Sequence, residues 1–120
     1  MSKELRAQVK KILEEYAEDL TEELDENARI VARETAKQIR NAAPRRTGEY
    51  AGGITSKKTE AGRTGSTYTV YNNAKPQLTH LLENGHAKRN GGRVPGTPHW
   101  APAEADAMKE YEERIVRAIK

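Results

Sequence analysis

The chain has 120 residues, no cysteine, no phenylalanine and a net charge of +3. Leucine, isoleucine and valine total only 18 residues, and small chains that bury little apolar surface usually depend on disulfides, metals or association. Because disulfides are excluded, we expect a partner surface, or else a metal, to add stability. No apolar run approaches the roughly 18 residues of a membrane span, and the N-terminus is charged rather than signal-like. These features predict one soluble domain over residues 1–120, made inside the cell.

Charge is distributed unevenly along the chain. Residues 44–100 carry nine Lys and Arg against three Asp and Glu, whereas residues 1–43 carry eight against ten and residues 101–120 four against five. A basic centre is typical of contact with phosphates or with acidic protein surfaces, including those of a neighbouring copy. It also fits an ordinary solvated surface, so charge alone does not choose between these interpretations.

The N-terminal third of the chain predicts one long amphipathic helix. From Ser2 to Ala43 there is neither Gly nor Pro, and good helix formers dominate. Mostly apolar residues recur every three or four positions in one stripe: Leu5, Val9, Ile12, Tyr16, Leu20, Leu24, Ala28, Val31, Thr35, Ile39 and Ala42. Such a helix is about 60 Å long, so part of the stripe meets another chain or the helix bends, with Asp25 and Asn27 as weak points. Pro44 ends it.

The middle of the chain predicts a β-hairpin. Residues 54–59 and 66–72 read as two strands around the turn-prone stretch "EAGRTG". In the second strand Tyr68 and Val70 share one face, which is the period of a half-buried strand. In the first strand only Ile54 is clearly apolar, which predicts an edge strand or an exposed arm.

Two further helices are predicted after the hairpin. Pro76 opens a short helix over residues 77–84 whose apolar face holds Leu78, Leu81 and Leu82, and Gly85 supplies its left-handed C-terminal cap. Residues 86–102 are expected to form a loop. Residues 103–120 predict a last helix whose buried face is expected to comprise four residues: Met108, Tyr111, Ile115 and Ile119.

Two stretches and the elements that frame them carry a resemblance to a known family: "RRTGEY" at residues 45–50 and "LTHLLENGHAKRNGGRVPGTPHWAPAE" at residues 78–104. Over about its last two thirds, the chain resembles the small head-to-tail joining or tail-completion proteins of long-tailed bacteriophages. The matching positions are Arg46, Thr47, Gly48, His80, Leu81, Leu82, Glu83, Gly85, His86, Gly91, Gly92, Arg93, Val94, Pro98, His99, Pro102 and Ala103. Family patterns often have a larger apolar residue after Gly48 and an aliphatic one after His99. This chain has Glu49-Tyr50 and Trp100 there.

The resemblance implies an architectural role. It implies a subunit of a homo-oligomeric ring in the neck or at the tail end of the virion, in contact with other neck and tail proteins and without catalytic activity, cofactor, small-molecule substrate or membrane. The expected fold is α+β: a long helix (1–43), a middle part with the hairpin or small antiparallel sheet, short helix and glycine-rich loop (44–102), and a closing helix (103–120). The alternatives are a tail terminator that caps the tail tube and, in a different class, a small nucleic-acid-binding module.

The three histidines raise the question of a metal or nuclease site. Five residues separate His80 from His86, and twelve separate His86 from His99, unlike the short pairs of compact zinc sites. A nuclease built on His86, Asn90 and His99 would need acidic metal ligands, and Glu83 is alone nearby. We therefore expect no metal and no catalytic residue. Instead, His80 is expected to pair with Glu83 at i and i+3, and His86 and His99 to hydrogen-bond backbone groups.

The glycines and basic residues of the predicted loops have structural and binding interpretations. Gly85, Gly91, Gly92 and Gly96 lack the known phosphate-binding patterns, so we expect them to permit positive φ angles. Thr47 and Gly48 are explained by capping and flexibility. The candidate subunit-interface or DNA-channel residues are Arg45, Arg46, Lys88, Arg89 and Arg93. We favour contact with acidic residues of the adjacent subunit over non-specific contact with passing DNA.

Overall fold

A computed structural model of the chain describes residues 2–45, 48–62 and 65–119. Its elements are, in chain order, α1 (Lys3–Ala42), α2 (Glu49–Gly52), β1 (Ile54–Gly62), β2 (Gly65–Asn72), a 3-10 turn (Pro76–Leu78), α3 (Thr79–Asn84), β3 (Gly85–Ala87), β4 (Arg93–Pro95) and α4 (Trp100–Ile119). Strands β1 and β2 form one two-stranded antiparallel sheet, and β3 and β4 form another. The predicted α+β class is confirmed.

Helix α1 is continuous over its whole length, as its composition predicts. The hydroxyl of Ser2 caps its N-terminus by accepting a hydrogen bond from the Leu5 N–H at 3.1 Å, and α1 ends just before Pro44. The break considered near Asp25 and Asn27 does not occur. Both residues instead make tertiary hydrogen bonds, Asp25 with the hairpin and Asn27 with α4.

The hairpin of β1 and β2 lies along α1. Tyr68 donates a hydrogen bond to Asp25 at 3.2 Å, and the Lys58 ammonium lies 3.2 Å from the same carboxylate. Val70 packs against the core, while β1 is exposed from Lys57 to Ala61. The prediction of a half-buried second strand is confirmed, and so is that of a largely exposed first strand.

The core is small and lies at the C-terminal end of α1. Its buried members are Ala36, Ile39, Ala43, Tyr50, Ala51, Ile54 and Ala103, and its partly buried neighbours are Val70, Leu78, Leu82 and Trp100. Helix α4 packs antiparallel to α1, with Gln38 donating to Asp106 at 2.8 Å and Arg114 to Asn27 at 3.2 Å. The many alanines permit close backbone approach, which suits a sequence poor in large side chains.

Two buried faces were predicted wrongly. Leu81 is 42% exposed, whereas its neighbours Leu78 and Leu82 pack on the core. On α4, Met108 is 69% and Ile119 58% exposed. The side of α4 that turns inward carries small or half-buried residues: Ala103, Ala107, Tyr111, Arg114, Ile115 and Ala118. On α4 the reason is that size and hydropathy alone do not show where alanine permits the closest approach.

The predicted loop over residues 86–102 is more structured than expected. It contains the β3–β4 pair, and α4 begins at Trp100 rather than at Ala103. The predicted start at Ala103 directly follows Pro102, but proline is tolerated in the first turn of a helix because the N–H groups there have no intrahelical partner.

The molecule is elongated. Its extents are 80 × 23 × 21 Å and its radius of gyration is 20.6 Å, against about 14 Å for a globular domain of this length. Every residue from 3 to 19 is exposed, so roughly 25 Å of α1 projects beyond the packed part. We call this segment, residues 3–19, the overhang. Among the described residues, no helix combines the length and apolar character needed to cross a membrane.

Candidate functional site

Glu83 of α3 holds the start of α4. Its carboxylate accepts hydrogen bonds from the backbone N–H groups of His99 at 2.8 Å, Trp100 at 2.9 Å and Ala101 at 3.0 Å. These groups open a helix, where unpaired N–H donors and the helix dipole favour an anion. The predicted pairing of His80 with Glu83 is therefore wrong. His80 shares a hydrogen bond with Asn84 at 3.1 Å instead, and Glu83 is committed to α4.

The protonation of Glu83 is coupled to this contact. Partial burial by itself would raise the pKa of Glu83, but the three backbone donors and the nearby His99 ring outweigh it and lower the pKa below its ordinary value of 4.5. The carboxylate is thus kept charged where the start of α4 needs an acceptor.

His99 is buried in a hydrogen-bonded cluster. Its Nδ1 lies 2.7 Å from the Thr97 carbonyl oxygen, which can only accept, so Nδ1 carries a proton and donates. In the neutral tautomer Nε2 then accepts from the Tyr50 hydroxyl at 2.7 Å. The Tyr50 oxygen in turn accepts from Trp100 Nε1 at 3.0 Å. The prediction that His99 bonds a backbone group is confirmed, and the residue acts as a joint between α2 and α4.

Asn72 is a buried polar residue that the sequence analysis did not select. Its amide donates to the Tyr50 carbonyl at 2.7 Å, and its Oδ1 accepts from the N–H groups of Ala74 at 2.9 Å and Lys75 at 2.7 Å. Asn72 could have been recognised from the sequence as an asparagine at the end of a strand, shortly before a proline. At such a position the asparagine side chain often closes a turn by hydrogen-bonding nearby backbone groups.

The β3–β4 hairpin folds back tightly on α3. Gly85 has a φ of 80°, and Gly96 passes so close that a Cβ there would lie 2.6 Å from the Asn84 carbonyl carbon and from the Gly85 nitrogen. The Thr97 N–H donates to Leu82 O at 2.7 Å, and Pro98 leads directly into His99. At the hairpin end, Gly91 and Gly92 have φ angles of 93° and 80°. The expected positive φ angles are confirmed at three of the four glycines, and at Gly96 the requirement is space.

The selected basic residues occupy different places. Lys88 and Arg89 are exposed between β3 and β4. Arg93, on β4, donates to Asn84 O at 2.8 Å and so satisfies the C-terminal end of α3. Arg45 donates to Arg40 O at 3.0 Å at the end of α1. Arg46 and Thr47 lie outside the described residues.

A basic groove between α1 and β1 was missed by the sequence analysis. It is lined by Arg29, Arg33, Ala36, Arg40, Thr55, Ser56, Lys57, Lys58 and Tyr68. We call this surface the basic groove. The arginines could have been grouped from their spacing of four and seven residues, which places them on one helix face. Their proximity to Lys57 and Lys58 depends on how the hairpin lies against α1, which the local pattern does not specify.

Several cations of the basic groove are held within the chain. Arg29 pairs with Glu26, Lys58 with Asp25, and Arg40 donates to Ile54 O at 2.7 Å. Hydrogen bonding from Ser66, and then Lys58 and Tyr68, lowers the pKa of Asp25. Arg33 is exposed, and Lys57 is exposed with its ammonium 4.9 Å from the centre of the Tyr71 ring. These last two cations are the ones most available to a partner.

The histidines do not meet with acidic residues in a metal-binding arrangement. Within the described ranges, no three His, Asp or Glu side chains are grouped so that they could hold a metal ion. His86 is exposed on β3, and both ring nitrogens of His99 are taken up by protein atoms.

Comparison with known proteins decides the family. A family model described as "Bacteriophage HK97-gp10, putative tail-component" matches residues 1–85. The chain belongs to the HK97-gp10-like family. Searches of curated proteins and of solved structures gave no match. The match to the HK97-gp10-like model includes α1, the β1–β2 hairpin and α3 but ends at Gly85, so residues 86–104 of the resemblance lie beyond it.

Family membership gives a coarse functional class. The HK97-gp10-like family is one of tail components of siphovirus-type phages, which supports a structural tail-related role, a location in the virion and contact with other phage tail proteins. A structural family of this kind favours a non-enzymatic role.

Proposed function

We propose that the chain is a subunit of a closed homo-oligomeric ring at the head-tail junction, or at the proximal end of the tail, and that this ring joins head to tail. Residues 1–120 serve as one structural unit in that role. The proposal combines the family, which is a family of tail components, with an elongated shape in which every residue from 3 to 19 of the longest helix is exposed.

The exposed apolar side chains of the overhang carry the proposal. Leu5, Val9, Ile12, Leu13 and Tyr16 are between 39% and 64% exposed. They lie on the overhang, in which every residue is exposed, and large exposed apolar patches mark interaction sites. A ring supplies the missing contact, because an interface between two different patches propagates from copy to copy and closes when its rotation permits.

The basic residues between β3 and β4 contact the adjacent subunit in the proposed ring. Lys88 and Arg89 reach acidic groups of that subunit. Arg45, Arg46 and Arg93 support the same interface, Arg93 through its contact with Asn84. Their charge also suits non-specific contact with DNA passing through the ring. The charge-reversal variant Lys88→Glu/Arg89→Glu distinguishes the two contacts. Loss of ring assembly supports the subunit contact, and normal rings that deliver DNA poorly support the channel contact. Normal particles with normal infectivity contradict both.

Phage particles lacking this protein test the proposal. Without the gene product, electron microscopy should show filled heads and separate tails of normal length, and purified protein added to the lysate should restore joined particles. Tails of irregular length would instead identify a tail terminator that caps the tail tube. Normal, joined and infectious particles would refute both roles.

A nucleic-acid-binding module is the alternative of a different class. It predicts that the purified chain binds free duplex DNA with an affinity that falls steeply as salt increases. A chain that binds DNA tightly, and whose deletion leaves particle joining unchanged, would favour this alternative over the ring.

A further inference from the structure

A second feature of α1 is a long stretch of one charge. Residues 12–28 hold eight Asp and Glu and no Lys or Arg. Asp25 and Glu26 pair with Lys58 and Arg29, and Glu14 lies 3.8 Å from Lys10. The other five carboxylates have no ion pair within the described part of the chain: Glu15, Glu18, Asp19, Glu22 and Glu23. All five are exposed.

These carboxylates stand beside the exposed apolar residues. Glu15, Asp19 and Glu23 recur every four residues and therefore form a row along one side of α1. Glu15 and Asp19 each lie three residues after a large exposed side chain, Ile12 and Tyr16, and residues three apart are neighbours on a helix surface. One face of α1 thus offers an acidic row and an apolar row side by side. We call residues 12–23 the acidic segment.

We propose that the acidic segment of one subunit docks along the basic groove of a second copy of this chain. The two surfaces are complementary in charge and in length. The row from Glu15 to Glu23 extends about 12 Å, and the groove arginines from Arg29 to Arg40 extend about 17 Å. Long basic side chains also present aliphatic stems, against which Ile12 and Tyr16 can pack.

The geometry of α1 excludes the same contact within one chain. The acidic segment and the groove arginines lie on one continuous helix, Lys3–Ala42, that contains neither Gly nor Pro. An unbroken helix cannot fold back on itself, so the acidic segment cannot reach the groove of its own chain. The contact must therefore join two copies.

A second copy is favoured over nucleic acid as the occupant of the groove. The groove continues along α1 into the acidic segment, so a duplex lying along this helix would meet the six carboxylates of that segment and be repelled by them. Because segment and groove are different patches, the docking is heterologous. The inference therefore rests on the proposed ring and assigns its subunit contact.

A charge swap tests the docking. The acid variant Glu15→Lys/Asp19→Lys/Glu23→Lys and the groove variant Arg33→Glu/Lys57→Glu are each expected to weaken self-association of the full chain by at least about tenfold, since each disrupts several ion pairs. One chain carrying all five changes should regain affinity to within about threefold of the original. Sedimentation velocity measures the association at about 0.05 M and about 0.5 M NaCl, where the original contact should weaken with salt.

Matched controls separate the contact from net charge. The α4 variants Glu104→Lys/Glu112→Lys/Glu113→Lys and Lys109→Glu/Arg117→Glu change exposed residues outside both surfaces and should leave association within about twofold of the original. An association that responds to the controls as strongly as to the test variants, or that the five-residue swap does not restore, overturns the proposal. So does a groove variant that loses duplex DNA binding while its self-association is unchanged.

Assembled particles supply a test that does not require the free chain to associate. Carbodiimide joins a carboxylate directly to a nearby lysine, so mass spectrometry should find Lys57 or Lys58 coupled to a carboxylate of residues 14–23. If carbodiimide-treated particles contain no such cross-link, the docking is overturned. If deletion of the gene gives separate heads and tails, but self-association does not respond to the charge variants, the proposed ring stands and the docking is refuted. If the five-residue charge swap restores association, but deletion of the gene gives normal particles, the docking stands and the proposed head-to-tail role is refuted.

Discussion

Two substitutions of Glu83, to Ala and to Gln, should destabilise the start of α4 to different degrees. Glu83→Ala removes the acceptor of the part-buried His99 and Trp100 N–H groups, each worth about 1–3 kcal/mol when left unpaired, and removes an anion from a helix N-terminus, worth about 0.3–1 kcal/mol. The Ala101 N–H is exposed and can turn to water. The expected loss in the free energy of unfolding is about 3–5 kcal/mol.

Glu83→Gln should cost less. The amide keeps one oxygen that can accept from His99 and Trp100 but presents an NH₂ group toward Ala101, so about 1–2 kcal/mol is expected. Urea denaturation followed by fluorescence of Trp100, the only tryptophan, measures both losses at the site itself. Glu112→Gln, which removes an exposed charge in the middle of α4, is the control and should change stability by less than about 0.5 kcal/mol.

The pH dependence supplies an independent check. The folded-state pKa of Glu83 lies below its ordinary value of 4.5, so its carboxylate stabilises the fold fully above that ordinary value and progressively less as pH falls through the folded-state pKa. The gap between the original chain and Glu83→Gln should therefore be constant near neutral pH and narrow in acid. Parallel stability profiles at every pH, or a cost of less than about 0.5 kcal/mol for Glu83→Ala, would show that Glu83 does not hold α4.

Three further outcomes follow from the packing. Leu82→Ala should lower the free energy of unfolding by about 1–3 kcal/mol and Leu81→Ala by less than about 1 kcal/mol, and equal losses in urea denaturation would contradict the assigned faces. Tyr50→Phe leaves Trp100 Nε1 without an acceptor and should cost about 1–3 kcal/mol in the same assay, whereas an unchanged midpoint would show that water replaces the hydroxyl. Amides of residues 3–19 should exchange hydrogen rapidly in the free chain and slowly in assembled particles, and strong protection in the free monomer would contradict an unpacked overhang.

Local patterns predicted the elements whose signals lie within a few residues. The period of α1, the alternation around Tyr68 and Val70 and the stop at Pro44 depend on neighbours along the chain, and each corresponds to an observed feature. The start of α4 was misplaced because Pro102 fits both a boundary and a first helical turn. The exposed Leu81 was misplaced because a six-residue helix has too few positions to fix its buried face.

The tertiary parts of the site were not predictable from spacing. The partners of Glu83 are 16–18 residues away, and a carboxylate three residues after a histidine is equally consistent with a local pair. The basic groove combines Arg33 with Lys57, which come together only because the hairpin lies on α1. Burial of Asn72 likewise depends on the return of the chain past Tyr50.

The division of α1 into a packed half and an unpacked half allows its length to change without cost to the core. From Lys3 to Lys11 no side chain is buried, so the gain or loss of one full turn there, about 5.4 Å, changes the reach of the helix and leaves the core packing as it is. The same change between Val31 and Ala43 would displace Ile39 and its neighbours from their packing. Chains built on this plan can therefore differ in reach through the exposed end of one helix, while the folded part stays the same.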